Sequence, residues 1–152
     1  MPTLTIGDKA PDFSLPTGDG STLSLKGLKG KRVVLYFYPK DDTSGCTREA
    51  CAFRDEVKVF EKKGVAIVGV SVDSPESHRK FAGKYDLPFT LLSDEKKSMV
   101  KAYGVWKEKS MYGKKYLGIE RTTFVIDEKG KIAQVFRKVK VDGHVGEVLA
   151  GL

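Results

Sequence analysis

At 152 residues, with 40% hydrophobic and 31% charged side chains, the chain can bury one core without disulfide or metal staples, and a single domain over residues 1–152 is expected. No run approaches the roughly 18 consecutive apolar residues of a membrane span, so no membrane partner is expected. The net charge of +7 raises the question of nucleic acid, yet lysines alternate with acids, as in Lys107-Glu108-Lys109, and only Lys107 to Lys115 is locally dense. That pattern reads as solvated surface, with no nucleic-acid partner.

Taken in order, residues 11–16 and 22–25 read as short strands around the turn Thr17-Gly18-Asp19-Gly20. Arg32-Val33-Val34-Leu35-Tyr36-Phe37-Tyr38 is a near-continuous β-branched and aromatic run, the pattern of a central strand covered on both faces, and Pro39 ends it. The period then changes. Cys46, Ala50, Phe53, Val57 and Phe60 recur at spacings of four and three, which predicts one helix from Ser44 to Lys63 with Gly64 as its stop. Val65 to Val72 is a second buried-type strand. Ser74-Pro75 opens a helix running to about Tyr85, with Ser74 as N-cap and Pro75 at the first helical position. A short strand at Thr90–Leu92 and a short helix from Lys96 to Tyr103 follow. Thr122–Ile126 and Ile132–Phe136 flank a turn as an antiparallel hairpin, and His144 to Leu149 forms a last helical turn or two. Strand–helix–strand–helix followed by a hairpin is an α/β sandwich with a mixed sheet. Its site region is expected at the carboxyl ends of the parallel strands, where Cys46 falls.

The chain has two cysteines, Cys46 and Cys51, too few for a disulfide scaffold. The start Met1-Pro2-Thr3-Leu4-Thr5 shows no basic-then-apolar leader, so a reducing, cytoplasmic setting is expected. Cys46 lies in the first turn of the predicted helix, where the macrodipole and free backbone N–H groups favour an anion, and a thiol so placed ionises readily into a nucleophile. On an intact helix, residues five apart have Cα atoms roughly 8.7 Å apart. A disulfide needs them within about 7 Å, so the pair can join only if the first turns unwind. The Cys-x-x-Cys pattern of thioredoxin-type enzymes is missing. Carbonyl attack usually recruits a histidine base, but His78 and His144 read as surface residues. By spacing alone, Cys46 fits a small core hydrophobe as well as it fits a redox thiol. A zinc site built from both cysteines and two distant histidines has the wrong spacing.

The run Phe37-Tyr38-Pro39-Lys40-Asp41-Asp42-Thr43-Ser44-Gly45-Cys46-Thr47 resembles the peroxiredoxin signature Pro-x-x-x-Thr/Ser-x-x-Cys. The position of Cys51 is similar to that in the bacterioferritin-comigratory-protein (PrxQ) subgroup. Further matches lie at Gly7–Phe13, Gly69–Ser74, Tyr103–Trp106 and Arg121–Asp127, so the resemblance covers nearly the whole chain. It implies a thioredoxin-like three-layer α/β/α sandwich with a mixed central sheet and an N-terminal β extension. It also implies an atypical two-cysteine peroxidase, in which Cys46 is peroxidatic and Cys51 resolving, joined as a redox disulfide. Thr43 would bond the peroxide oxygen and Arg121 would stabilise the thiolate and the departing oxygen. Pro39 would shield the sulfur, the N–H groups of Gly45 and Cys46 would complete the donors, and Glu49 would orient an arginine. From the residues alone, Thr43 reads as a helix N-cap and Arg121 as a surface residue beside a strand. The implied partners are hydroperoxides and a thioredoxin-type dithiol, acting on a monomer with no metal, haem or flavin. The competing readings are a basic nucleic-acid-binding module with passive cysteines and a thiol–disulfide oxidoreductase acting on proteins.

Overall fold

The computed structural model describes residues 3–152; Met1 and Pro2 lie outside the described residues. Its frame is a five-stranded sheet in the order β5-β4-β3-β8-β9. The strands are β3 (Arg32–Phe37), β4 (Val65–Ser71), β5 (Thr90–Ser93), β8 (Thr122–Ile126) and β9 (Ile132–Phe136). β3, β4 and β5 run parallel, while β8 lies antiparallel against β3 and β9 against β8. β3 is central, which is why its run carries no polar alternation.

Successive side chains of β3 point to opposite faces. Val33, Leu35 and Phe37 join Val70, Phe124, Met99 and Tyr103 on one side, with Ala10 and Phe13 of the N-terminal segment. Val34, Tyr36 and Tyr38 face Cys46, Ala50, Phe53, Phe60, Phe81 and Val148 on the other. The second face is therefore covered by α1 (Ser44–Asp55), α2 (Val57–Lys62), α3 (Pro75–Tyr85) and α5 (His144–Ala150). The first is covered by α4 (Ser98–Ala102) and the N-terminal hairpin of β1 (Ser14–Pro16) and β2 (Thr22–Ser24). The expected three layers, mixed sheet and N-terminal β extension are all present.

Two features depart from the sequence reading. The helix expected to run from Ser44 to Lys63 breaks at Glu56, whose N–H donates to Phe53 O at 3.2 Å, a tightened turn in place of the α pattern. Phe53 and Phe60, on either side of the break, both lie in the core, with ring centroids 5.9 Å apart. The lysine-dense stretch, with no element assigned from sequence, forms a hairpin of β6 (Trp106–Met111) and β7 (Lys114–Ile119). Its pattern was illegible because the hairpin stands off the main sheet, so most of its side chains are exposed on both faces. Met111 and Tyr112 at its tip, and Leu117 midway along β7, are exposed alongside the lysines. No helix is long and apolar enough to cross a membrane among the described residues.

Candidate active site

β3 ends at Phe37, and the chain leaves the carboxyl end of this central strand and passes through Pro39–Thr43 before entering α1 at Ser44. Cys46 sits in the first turn of α1, as its spacing required. Its side chain is 1% exposed and belongs to the apolar layer under α1, so the core-hydrophobe reading describes its packing. It does not describe its partner. Arg121 Nη2 donates to Cys46 Sγ at 3.3 Å. That contact puts a charged donor directly on the sulfur, with little water between them.

The topology explains how two residues 75 positions apart in sequence meet. β8 runs antiparallel to β3, so its start lies beside the end of β3, where Phe37 pairs with Thr122. Arg121 immediately precedes that pair and reaches across to the helix that β3 feeds. Its side chain is 16% exposed, which removes the surface reading. The guanidinium bridges the two side chains, with Nη1 donating to Glu49 Oε1 at 2.6 Å while Nη2 meets the sulfur. Burial lowers the affinity of Arg121 for its proton, but Glu49 and Cys46 outweigh it and the net shift is upward. The cation is therefore permanent.

Glu49 lies one turn after Cys46 and is fully buried at its side chain. Burial raises its carboxyl from the ordinary 4.5 to about 7, with the Arg121 charge opposing. Its second oxygen, Oε2, and the hydroxyl of Tyr36 have no hydrogen-bond partner among the described residues. Burial, reinforced by Glu49, Cys46 and Asp41, holds the Tyr36 phenol far above its usual range, so it stays neutral.

The raised acid has a stability signature. Because the folded pKa lies above the unfolded one, the contribution of the Glu49 proton is complete below about pH 4.5 and is lost as pH rises through about 7. Urea titrations at pH 5 and pH 8 should show the wild type losing on the order of 2–3 kcal/mol more than Glu49→Gln across that interval. Parallel losses in the two proteins would count against a raised carboxyl.

Thr43 occupies the N-cap position with extended backbone, but its side chain caps nothing. Its Oγ1 donates instead to Lys40 O at 2.9 Å, which closes the loop on itself. The N-capping read from sequence is corrected on this point: the hydroxyl is committed to the loop and the first-turn amides are left free. Among the described residues, the N–H groups of Gly45 and Cys46 have no partner, while Thr47 N donates to Thr43 O at 2.8 Å. Gly45 is tightly packed, because a Cβ there would come 3.3 Å from Arg121 Nη2. Pro39 is half-buried at the loop's start. Cys51 is half-buried farther along α1, and both cysteines are free thiols. Arg48, between them, is bridged to Asp142 on the surface.

Both histidines were read from sequence as surface residues, and both are buried. His144 Nε2 bonds Thr123 Oγ1 at 2.8 Å, and its ring packs edge-on against Phe53 and Phe136. Burial lowers its pKa, so it is a neutral core histidine. His78 lies on the same face of α3 as Phe81 and bonds Asp41 at 2.7 Å. The spacing of His78, Phe81 and Tyr85 carried the signal for that buried face, and the polar partner hid it.

Comparison with known proteins places this geometry. The AhpC/TSA family matches residues 6–135. Peroxiredoxin Bcp of Bacillus subtilis (strain 168) is 51% identical over 150 residues, covering 99% of this chain and 96% of the relative. The bacterioferritin comigratory protein of Xanthomonas campestris, whose structures concern alkyl peroxide reduction, superposes with a TM-score of 0.89 at 43% identity, over 97% of this chain and 94% of that one. A cysteine-to-serine mutant of PrxQ from Xylella fastidiosa superposes with a TM-score of 0.93 at 37% identity, over 99% and 96%. The three-layer fold described above is thus the thioredoxin-like fold of these proteins.

Proposed function

The chain belongs to the AhpC/TSA family and, within it, to the Bcp/PrxQ peroxiredoxins, so it is a thiol peroxidase; from that premise we propose that it works as an atypical two-cysteine enzyme on hydrogen peroxide and alkyl hydroperoxides. The observation that carries the reading is the Arg121 guanidinium 3.3 Å from Cys46 Sγ at the start of α1, with Cys51 in the same helix.

In the first step the Cys46 thiolate attacks one peroxide oxygen and the O–O bond breaks. The departing alkoxide or hydroxide takes a proton and leaves as alcohol or water, and the sulfur becomes a sulfenic acid. Arg121 holds the thiolate and then meets the charge that develops on the leaving oxygen. The free amides of Gly45 and Cys46 supply two more donors at the same helix end. With its proton given to Lys40 O, Thr43 Oγ1 offers lone pairs, which suits acceptance of the hydroperoxide O–H. Glu49 fixes one arm of Arg121 so that the other points at the sulfur, and Pro39 screens the sulfur from bulk water.

In the second step the Cys51 thiolate attacks the sulfenic sulfur of Cys46, the S–S bond forms, and hydroxide is expelled as water. Both cysteines sit in one continuous helix, so the turns between them must open first. A thioredoxin-type dithiol then returns two electrons and restores both thiols. The reading has the protein acting as a single-domain monomer in the cytoplasm, with no metal or organic cofactor.

Cys51→Ser tests it. With thioredoxin as sole reductant, this variant should consume about one equivalent of hydroperoxide per chain and stall as a sulfenic acid or its over-oxidised products, whereas the wild type turns over. Hydroperoxide consumption and intact mass report both events. Sustained wild-type turnover by Cys51→Ser under those conditions would sink the resolving role.

A further inference from the structure

The most extensively bonded buried polar cluster lies outside the reaction just described. The Asp41 carboxylate accepts from Tyr38 Oη at 2.5 Å and Ser77 Oγ at 2.8 Å, and it meets His78 Nδ1 at 2.7 Å. The Asp41 N–H donates to Asp73 Oδ2 at 2.8 Å, and Asp73 is held in turn by Ser71 Oγ at 2.6 Å. His78 Nε2 donates to Leu92 O at 2.8 Å, so the bond at Nδ1 requires a second proton between the ring and the carboxylate. The two side chains are 0% and 3% exposed. Asp41, Asp73 and His78 are also close enough together to suit a cation. However, Asp41 and His78 bond each other directly and the cluster's remaining donors are paired within it, so this is a closed network and not an open ligand set.

This cluster ties the loop before α1 to one side of the molecule. The next residue adds to it: Asp42 adopts φ +57° and accepts from Lys84 Nζ and Tyr85 Oη of α3, both at 2.9 Å. Between Ser44 and Phe53 the side-chain tethers run the other way, Cys46 and Glu49 to Arg121 and Arg48 to Asp142. Farther along, Phe53 stacks on Tyr36 with centroids 4.7 Å apart. The segment that must open is thus bounded by two anchors, and its own ties differ from them in kind. Arg48 and Asp142 form an exposed pair, of little worth in water. The hold of Arg121 on Cys46 weakens once the sulfur is oxidised and loses its charge. Opening Asp41 and His78 would instead strand buried polar groups without partners.

We propose that the buried Asp41–His78 pair is a positioning clamp for the peroxide step: it holds Pro39–Thr43 and the entry to α1 in the reactive arrangement, and it stays closed while the residues between Thr43 and Phe53 unwind. The second clause rests on the two-cysteine reading above. Loosening the clamp therefore slows oxidation of Cys46 and leaves disulfide closure untouched.

Two substitutions at His78 separate its bonds. His78→Asn places an amide nitrogen near the position of Nδ1, keeping the donor to Asp41 and losing the bond to Leu92. His78→Gln does the reverse. Stopped-flow mixing with hydrogen peroxide, followed by Trp106 fluorescence and by mass after acid quench, gives the oxidation and closure rates separately. The oxidation rate constant should fall about tenfold in His78→Gln and stay within about twofold of wild type in His78→Asn, with closure within about twofold in both. Equal loss in the two variants, or slowed closure with normal oxidation, overturns the clamp. Should a variant not fold, amide exchange on the wild type decides. In the disulfide form the Asp41 amide should keep its protection while those of Thr47 to Cys51 lose about 100-fold or more, and loss at Asp41 along with the helix overturns the proposal. If no intramolecular disulfide forms, the two-cysteine reading fails, while the His78→Asn and His78→Gln oxidation rates still judge the clamp.

Discussion

Cys46→Ser is expected to lose hydroperoxide consumption by at least about 10³-fold, with the fold intact. A serine hydroxyl does not ionise near neutral pH, even beside a guanidinium, so the nucleophile is removed and not merely weakened. The packing change is small, because serine is slightly smaller than cysteine and remains within reach of Arg121 Nη2, which lies 3.3 Å from the native sulfur. The hydroxyl enters a site that already holds a cation, so a stability change below about 1–2 kcal/mol is expected. Consumption of hydrogen peroxide with a dithiol reductant, set beside the urea midpoint, checks both halves. Full turnover by Cys46→Ser would reject this sulfur as the reacting atom.

Arg121→Ala is the second large effect, a loss of about 10²–10³ in the rate of the first oxidation, because the donor to both the thiolate and the leaving oxygen disappears. Stability should fall too, since Glu49 is left as a buried carboxyl whose one partner has gone. The penalty should approach about 3–5 kcal/mol above pH 7 and shrink below it, where the carboxyl takes up a proton. That sign follows from a pKa already raised to about 7 with the arginine present. Arg121→Lys should recover only part of the rate. Lysine carries one point charge, whereas the guanidinium meets Glu49 Oε1 with Nη1 and Cys46 Sγ with Nη2 at the same time. Single-turnover oxidation rates and urea midpoints at pH 5.5 and 8.5 read both consequences. A lysine variant as fast as wild type would mean that charge alone matters, and the bridging geometry would lose its role.

Several elements were legible in the chain because local pattern and local structure agree. Ser74 and Pro75 predicted the start of α3, and the Ser74 hydroxyl does accept from Ser77 N at 3.1 Å. The β-branched and aromatic run before Pro39 predicted the central strand, since a strand covered on both faces needs no polar alternation. The break at Glu56 was hidden, because Cys46, Ala50, Phe53, Val57 and Phe60 keep an unbroken helical spacing across it. The β6–β7 hairpin was hidden for the opposite reason: it lies off the core, and burial is what writes alternation into a sequence.

The site divides along the same line. Sequence by itself determined that Cys46 opens a helix, that Cys51 rides the same helix, and that the two cannot join while it stays wound, because helical rise and turn are fixed by the backbone. Only the tertiary structure decided what surrounds the sulfur. Antiparallel pairing of β8 on β3 brings Arg121 to Cys46, and burial turns Glu49 into an acid near pH 7. It also converts His78, by pattern one residue on an amphipathic helix, into half of a buried pair with Asp41. Contacts of this kind join residues tens of positions apart, and charge is strengthened or suppressed by what excludes water around it, a property of the packed molecule that no local spacing records.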